Sequence, residues 1–169
     1  PDEVQLVKER IVESRCSRRS FMVASAAGTV AVTGGMLGAA QTGEVQWHDV
    51  REWGVEGRGF PETEKYFDRL PARAKGVVRD AVWNLSRHSS GMMVRFRTNA
   101  TEIHAEHGVT SKKLAMPHMP ATGVSGLDLY AKDDNGNWRW VAVTRPSAQQ
   151  MKLSLIKGMR PETRDYAVY

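Results

Sequence analysis

Cysteine is almost absent from this chain, since Cys16 is the one thiol in 169 residues. A single cysteine excludes an internal disulfide and any zinc cluster that is built on several cysteines. Cys16 also lies within residues 1–40, which we expect to be removed, so the remaining chain is predicted to carry no thiol. That composition suits an oxidising compartment outside the cytoplasm.

Long runs of like charge are also missing. The formal net charge is +5 and the sequence pI is about 9.6, and such basic chains often bind nucleic acids. The basic residues, however, are interleaved with acidic ones, as where Asp68 and Asp80 flank a group of four cations: Arg69, Arg73, Lys75 and Arg79. No motif of DNA- or RNA-binding proteins accompanies them. The charge pattern therefore favours a solvated basic surface and no nucleic-acid partner.

An arginine pair marks the N-terminal segment. Arg18 and Arg19 are followed, one residue later, by the large apolar Phe21, as in twin-arginine export signals. Residues 20–40 then carry no charge, and the small side chain of Ala40 suits the pocket of a signal peptidase. The segment is a poor membrane span, since a span needs about 20 strongly apolar residues. We therefore predict cleavage after Ala40; an uncleaved anchor and a buried Ala/Gly helix are the alternatives.

The division that follows from this pattern is a signal peptide at 1–40 and a single domain at 41–169. The chain begins at Pro1, and Asp2 to Glu13 resemble a charged, helical leader. A protein with such a signal is exported, already folded, through the twin-arginine machinery of a bacterium. The expected location is therefore the periplasm or the exterior.

Alternation of apolar and polar residues dominates the rest of the chain. In the first predicted strand, Met92, Val94 and Phe96 share one face, and Arg95 and Arg97 share the other. Further strands are predicted at 101–107, 127–132, 137–144, 151–156 and 164–169. Their spacing predicts an all-β fold, either an antiparallel β-sandwich or a jelly roll.

Two turns and few helices complete this prediction. Asn99-Ala100 is expected to join the first two strands as a hairpin, and Asn135-Gly136 to form a type I′ turn between the next two. Pro71 can open a helical turn over 72–78, because proline is tolerated in the first turn. The glycine-rich stretch 51–61 is predicted to be a loop.

Neither a nucleophilic serine nor a metal site emerges from the sequence. Ser125 lies in Gly123-Val124-Ser125-Gly126, which lacks the second glycine of a G-x-S-x-G elbow and precedes a strand instead of a helix. His104 and His107 are three residues apart, so on a strand they project to opposite faces and cannot chelate one ion together. We therefore predict no catalytic residue, no metal and no cofactor, and we expect both histidines on a solvent-facing strand.

Trp138 and Trp140 lie two residues apart on one predicted strand and therefore share a face. Packing in the core is the favoured interpretation, since large aromatic side chains are usually buried. The alternative is a flat aromatic platform that stacks on sugar rings.

The loop from His118 to Gly126 is the candidate ligand or interface segment, because its prolines and glycines fix an irregular backbone. Its polar side chains are His118, Thr122 and Ser125, with Asp128 just beyond. If Leu127 and Leu129 face the core, Asp128 faces outward. Asp128 is then expected either to cap the loop or to contribute to a domain interface or ligand pocket.

Several segments, in order, resemble the GxDLY domains that precede the catalytic domain in exported SGNH (GDSL-type) hydrolases. They are 68–71, 82–86, 89–98, 118–123, Gly126-Leu127-Asp128-Leu129-Tyr130 and 164–169. The resemblance implies a β-sandwich that precedes an α/β SGNH domain in an enzyme acting on esters, in particular of acylated carbohydrates. It also implies that the nucleophile, the oxyanion donors and the His/Asp base belong to sequence after Tyr169.

The sequence thus predicts a non-catalytic N-terminal domain of an exported SGNH-type hydrolase. Its expected partners are the catalytic domain, the twin-arginine machinery and an acylated carbohydrate, with the loop 118–126 as one wall of the substrate cleft. The alternative is a stand-alone module that binds carbohydrate or another protein.

Overall fold

The alternation of apolar and polar residues is expressed as strands over most of the chain. The computed structural model describes residues 9–13 and 45–169. In chain order its strands are β1 (Glu9–Glu13), β2 (Gln46–Asp49), β3 (Val94–Thr98), β4 (Ile103–Gly108), β5 (Asp128–Lys132), β6 (Trp138–Val143), β7 (Gln150–Ile156) and β8 (Arg164–Val168). The short helices are α1 (Val50–Trp53), α2 (Asp80–Ser86) and α3 (Ala121–Ser125), with a 3-10 turn at Ala72–Ala74.

The strands form two sheets of four strands each, and every pairing is antiparallel. The first sheet has the order β2-β1-β4-β7, and the second has the order β3-β8-β5-β6. The prediction of an all-β chain with antiparallel sheets and few helices is confirmed at this level. No helix in the described ranges combines the length and the apolar character needed to cross a membrane.

One hydrophobic core joins residues of both sheets. Ile103, Ala105 and Leu155 come from the first sheet, and Leu129 and Val168 come from the second. Leu127 and Leu129 are both buried, so the two leucines of the Gly-Leu-Asp-Leu-Tyr segment face the core, which is the condition under which the sequence places Asp128 outward. Burial of a leucine contributes about 1.5–3 kcal/mol, so this segment is a principal anchor of β5.

The predicted hairpin between β3 and β4 is wrong. β3 pairs with β8, whereas β4 pairs with β1 and β7, so the chain passes from one sheet to the other between Thr98 and Ile103. Ala100 is buried in this connection, and its N–H donates to Thr98 Oγ1 at 3.0 Å. Asn99-Ala100 also lacks the glycine that a tight hairpin turn favours, which explains why the connection crosses instead of turning back.

The hairpin between β5 and β6 is confirmed, but its turn lies one residue earlier than predicted. The Gly136 N–H donates to the Asp133 carbonyl at 2.9 Å, so Asp134 and Asn135 are the central residues. Gly136 follows them with φ of 80°, a backbone conformation that favours glycine. The Asp133 carboxylate accepts from the N–H groups of Asn135 and Asn137 and thereby fixes the turn.

One extra residue in β6 changes the direction of its side chains. Leu129 is level with Ala142, whereas Tyr130 is level with Trp140, so Val141 is an additional residue on this strand. Val141 and Ala142 both pack against the core. A bulge of this kind reverses the inward and outward alternation on its two sides. Trp140 therefore points outward, although alternation from Ala142 in an unbroken strand would direct it into the core.

The N-terminal stretch departs from the predicted helical leader. Glu9–Glu13 forms β1, which lies between β2 and β4 and places Ile11 level with His48 and Ala105. The β-branched pair Ile11-Val12 favours a strand, which accounts for this part of the error. The predicted export signal and its residues Arg18, Arg19, Phe21 and Ala40 lie outside the described residues.

The predicted helical turn and loops are partly different in the structure. Helical structure after Pro71 is limited to the 3-10 turn, and α2 follows as a separate helix whose first-turn Asp80 favours the helix N-terminus. Part of the predicted loop 51–61 belongs to α1, where Asp49 accepts from the Arg51 N–H as an N-cap. Part of the predicted loop 118–126 belongs to α3.

A buried ion pair holds the end of α2. Arg87 and Asp68 are both buried, with 3.3 Å between Nε and Oδ1, and Asp68 Oδ2 also accepts from the Lys65 N–H at 2.9 Å. Glu64 forms a second ion pair with Arg87 from the solvent side. Breaking such a buried pair is costly because one charge is then left without compensation. The pair therefore fixes the position of the turn that begins at His88.

Gly126 is a steric requirement of the segment that leads into β5. A Cβ at this position would lie 2.3 Å from the carbonyl oxygen of Thr122, the second residue of α3. We expect Gly126→Ala to destabilise the chain by about 1–3 kcal/mol, since backbone must move to make room. Urea unfolding measures this loss. Gly59→Ala is the matched control, because its added Cβ meets nothing within 4 Å; equal stability of the two variants would contradict the expectation.

Candidate functional site

Asp128 lies where two cavities meet. It is the first residue of β5, and its backbone pairs with Tyr169 through two hydrogen bonds, N–H to carbonyl, of 3.1 and 3.0 Å. A cavity of about 200 Å³ on one side and one of about 410 Å³ on the other are both lined by Asp128 and Tyr169. We call the smaller one the motif cavity, because Gly126, Leu127 and Asp128 line it.

Three segments at one end of the second sheet form most of the motif cavity. They are the turn that runs from His88 to Met93, the end of α3 at Ser125, and the start of β5. The turn depends on Gly91, whose φ is 86°, and its Met93 exchanges backbone hydrogen bonds with Glu56 at 2.8 and 3.0 Å. The cavity thus has a rigid backbone frame with few charged groups on its walls.

Ser125 lines the motif cavity, but its hydroxyl is already engaged. Its Oγ donates to the Leu114 carbonyl at 3.0 Å, and the residue is buried. The nearby imidazole of His107 meets the Ser125 main-chain carbonyl through Nε2 at 3.3 Å. Nε2 therefore carries the proton and donates to that carbonyl. These two hydrogen bonds fix the end of α3, and the Ser125 hydroxyl has no bond to the imidazole of His107.

His107 differs from its sequence prediction. It is 1% exposed, with Ile103 and Ala105 on the core face of β4, so its expected place on a solvent-facing strand is wrong. Burial lowers the pKa of its imidazole, and the hydrogen bond to the Ser125 carbonyl opposes that shift only in part. Its Nδ1 has no hydrogen-bond partner in the described part of the chain. The residue is therefore neutral near pH 7 and serves packing.

His104 lies on the opposite, outer face of β4, as the spacing of the two histidines predicted. Its Nε2 lies 2.9 Å from Glu102 Oε2. The hydrogen bond from His104 lowers the pKa of the Glu102 carboxyl, and Lys157 lowers it further. Within residues 9–13 and 45–169, no group of three His, Cys, Asp or Glu side chains is placed to hold a metal ion.

The structure brings together two of the four candidate residues. Ser125 and Asp128 both line the motif cavity. His118 is exposed in a tight turn whose ends, Met116 and Met119, exchange backbone hydrogen bonds of 2.9 and 3.1 Å. Thr122 lies within α3 and does not line either cavity. The four predicted site residues therefore do not form one site: Ser125 and Asp128 line the motif cavity, whereas His118 and Thr122 lie apart from it on the turn and in α3.

Aromatic side chains surround the larger cavity and cover the outer side of the second sheet. Tyr130, Trp138, Trp140 and Tyr169 form what we call the aromatic face. Trp138, Trp140 and Tyr169 are 38%, 56% and 49% exposed, so the prediction that both tryptophans pack in the core is wrong. The bulge at Val141 is the physical reason, because it turns this part of β6 outward.

Asp128 also holds the aromatic face together. Its Oδ1 accepts a hydrogen bond from Trp140 Nε1 at 2.8 Å across the hairpin. This cross-strand contact engages one oxygen of the carboxylate, and a role of Asp128 at a domain interface or in a ligand pocket stays a prediction. Tyr169 was not predicted as a site residue, and Trp140 was raised only in the alternative of a sugar-binding platform, because the bulge that turns Trp140 outward has no signal in the alternation pattern.

Residues 45–169 match the GxDLY family model, which describes the N-terminus of SGNH-hydrolase-type esterases. No curated protein sequence matches the chain. The fold is similar to that in a crystal structure of a protein from Bacteroides ovatus ATCC 8483 that is described as a GDSL-like lipase. The TM-score is 0.65 and the sequence identity is 27%. The match covers 71% of this chain and 35% of that one, so this chain corresponds to about a third of its length.

Proposed function

This chain belongs to the GxDLY family of N-terminal domains of SGNH-hydrolase-type esterases, and from that premise we propose that it is a non-catalytic accessory domain of an exported ester hydrolase. Its role is to support the catalytic domain and to line part of the cleft that receives an acylated carbohydrate. The two antiparallel sheets with one shared core support a β-sandwich as the detailed architecture.

The arrangement around Ser125 carries the non-catalytic part of the proposal. An acyl-transfer site needs a nucleophile whose proton a neighbouring base can take. Here the Ser125 hydroxyl donates to the Leu114 carbonyl, and His107 is bonded to a main-chain carbonyl instead of that hydroxyl. The imidazole is also buried, which favours its neutral form, and it is not among the residues that line the motif cavity. Both groups therefore support a structural role.

The two cavities at Asp128 support the contribution to a substrate cleft. They are adjacent, they share Asp128 and Tyr169, and the larger one opens among exposed aromatic rings. Sites for small ligands combine apolar walls with a few fixed polar groups, as here. This location replaces the loop 118–126 as our candidate wall, because of that loop only Gly123 to Gly126 reach the motif cavity.

We expect the 169-residue chain to leave p-nitrophenyl acetate unhydrolysed above the rate in buffer, because the Ser125 hydroxyl donates to the Leu114 carbonyl and is not bonded to His107. Absorbance of released p-nitrophenol measures this. Ser125→Ala is the matched variant and should behave like the parent chain. Hydrolysis by the parent chain that Ser125→Ala abolishes would identify Ser125 as a nucleophile and contradict the proposal.

Export by the twin-arginine route is a second part of the proposal. It is supported by Arg18, Arg19 and Phe21 and by the uncharged stretch that ends at Ala40. It has a structural consequence, since cleavage after Ala40 would remove β1 from its place between β2 and β4. The precursor and the exported domain would then differ in their first sheet.

We expect a bacterium that has twin-arginine transport to export the chain and to yield a product that begins at Gln41. Edman sequencing of the periplasmic or secreted product measures this. The double variant Arg18→Lys and Arg19→Lys should stay in the cytoplasm with β1 still attached. A parent chain that stays inside the cell with its N-terminus intact would contradict the export proposal.

A further inference from the structure

The aromatic face is fixed by its own contacts. Trp140 donates to Asp128, and the Lys132 ammonium lies 5.2 Å from the centre of the Trp138 ring. Tyr130 and Tyr169 meet edge to face, with 5.4 Å between their ring centres. Rings that are already held cost little conformational entropy when a ligand binds. These aromatic side chains are therefore preorganised for ligand binding, and three of them remain exposed to solvent.

The position of the rings suits a flat ligand with an apolar side. Trp138 and Trp140 follow each other on the outer side of β6, and Tyr130 is level with Trp140 on β5. The cavity of about 410 Å³ lies among Asp128, Tyr130, Trp138 and Tyr169. Its volume falls in the range of small-ligand sites, about 300–1,000 Å³. Aromatic ring faces of this kind pack against the C–H groups of a sugar ring.

The charges around the cavity select the class of ligand. Asp128 uses Oδ1 for Trp140, and its Oδ2 has no donor among the residues described, so it remains an acceptor for hydroxyl groups. The cations on this face of the sheet each already have a carboxylate partner. Lys132, which also lies beside the Trp138 ring, and Arg97 pair with Asp165, at 3.5 and 2.5 Å. Arg95, which is level with Ala167 as Tyr130 is, pairs with Glu56. An anionic ligand would meet an uncompensated carboxylate here. A neutral ligand that is rich in hydroxyl groups fits instead.

The same carboxylate argues against an apolar protein surface as the occupant. Covering Asp128 with apolar side chains would bury a charge without a paired cation, which is strongly unfavourable. Sugar hydroxyls would donate to it while the ring packs on the tryptophans. We propose that the aromatic face is a binding subsite for a neutral pyranose ring of a polysaccharide. This inference rests on the proposed function for its substrate class, the carbohydrate part of the ester.

Calorimetric titration of the 169-residue chain tests this subsite. The probes are cellohexaose and xylohexaose, with hexagalacturonic acid as the anionic counterpart. We expect at least one neutral hexasaccharide to bind and the anionic one to bind more weakly. Trp138→Ala should weaken binding about tenfold, as the loss of a central aromatic contact does. Asp128→Asn keeps the shape but removes the charge, and should reduce the preference for the neutral sugars.

The control variant is Leu85→Ala, which removes an exposed apolar side chain on α2 and should leave binding unchanged. Equal melting temperatures of the variants establish that Trp138→Ala acts on binding and not on folding. Failure of both neutral hexasaccharides to bind would overturn the subsite, as would binding that Trp138→Ala leaves unchanged. That result would leave the accessory role intact, whereas hydrolysis of p-nitrophenyl acetate through Ser125 would overturn the accessory role whatever the sugars do.

Discussion

The extra residue in β6 is the constraint on which the candidate site depends. Because Val141 and Ala142 both pack inward, the strand changes phase, and Trp138 and Trp140 leave the core for the outer side of the sheet. A strand without this bulge would bury both rings and leave Asp128 without its indole partner. Bulges commonly redirect side chains at functional sites, and here a single one divides β6 into a part that packs on the core and a part whose tryptophans are exposed.

The Gly-Leu-Asp-Leu-Tyr segment connects the core to that surface. Its two leucines are buried, its glycine makes room for the Thr122 carbonyl, and its aspartate and tyrosine face the opposite side. Leu127 is fixed further by Thr144, which accepts from the Leu127 N–H and donates its own N–H to the Leu127 carbonyl. The same five residues therefore secure β5 by packing and place Asp128 between two cavities. The segment whose sequence resembles the family motif is therefore also the one that lines the motif cavity.

Sequence reasoning predicted what depends on local alternation and turn chemistry. The strands β3 to β8, the turn at Asp134 to Gly136 and the burial of Leu127 and Leu129 follow from such patterns. The predictions were wrong for features that depend on contacts between distant parts of the chain. The partner of β4, the strand at Glu9–Glu13 and the outward direction of the tryptophans depend on sheet order and on the bulge. Of the candidate site, Ser125 and Asp128 were predictable, whereas Trp140 and Tyr169 reach Asp128 only through tertiary pairing.

Hydroxyl-radical footprinting of the intact chain, read by mass spectrometry, tests the central claim most directly. The account predicts that Trp138 and Trp140 are oxidised rapidly, while Met92 and Met151, whose sulfurs are intrinsically reactive but buried, are protected. Protection of both tryptophans to the level of those methionines would show that β6 runs without a change of phase. The aromatic face, and the sugar subsite proposed on it, would then not exist.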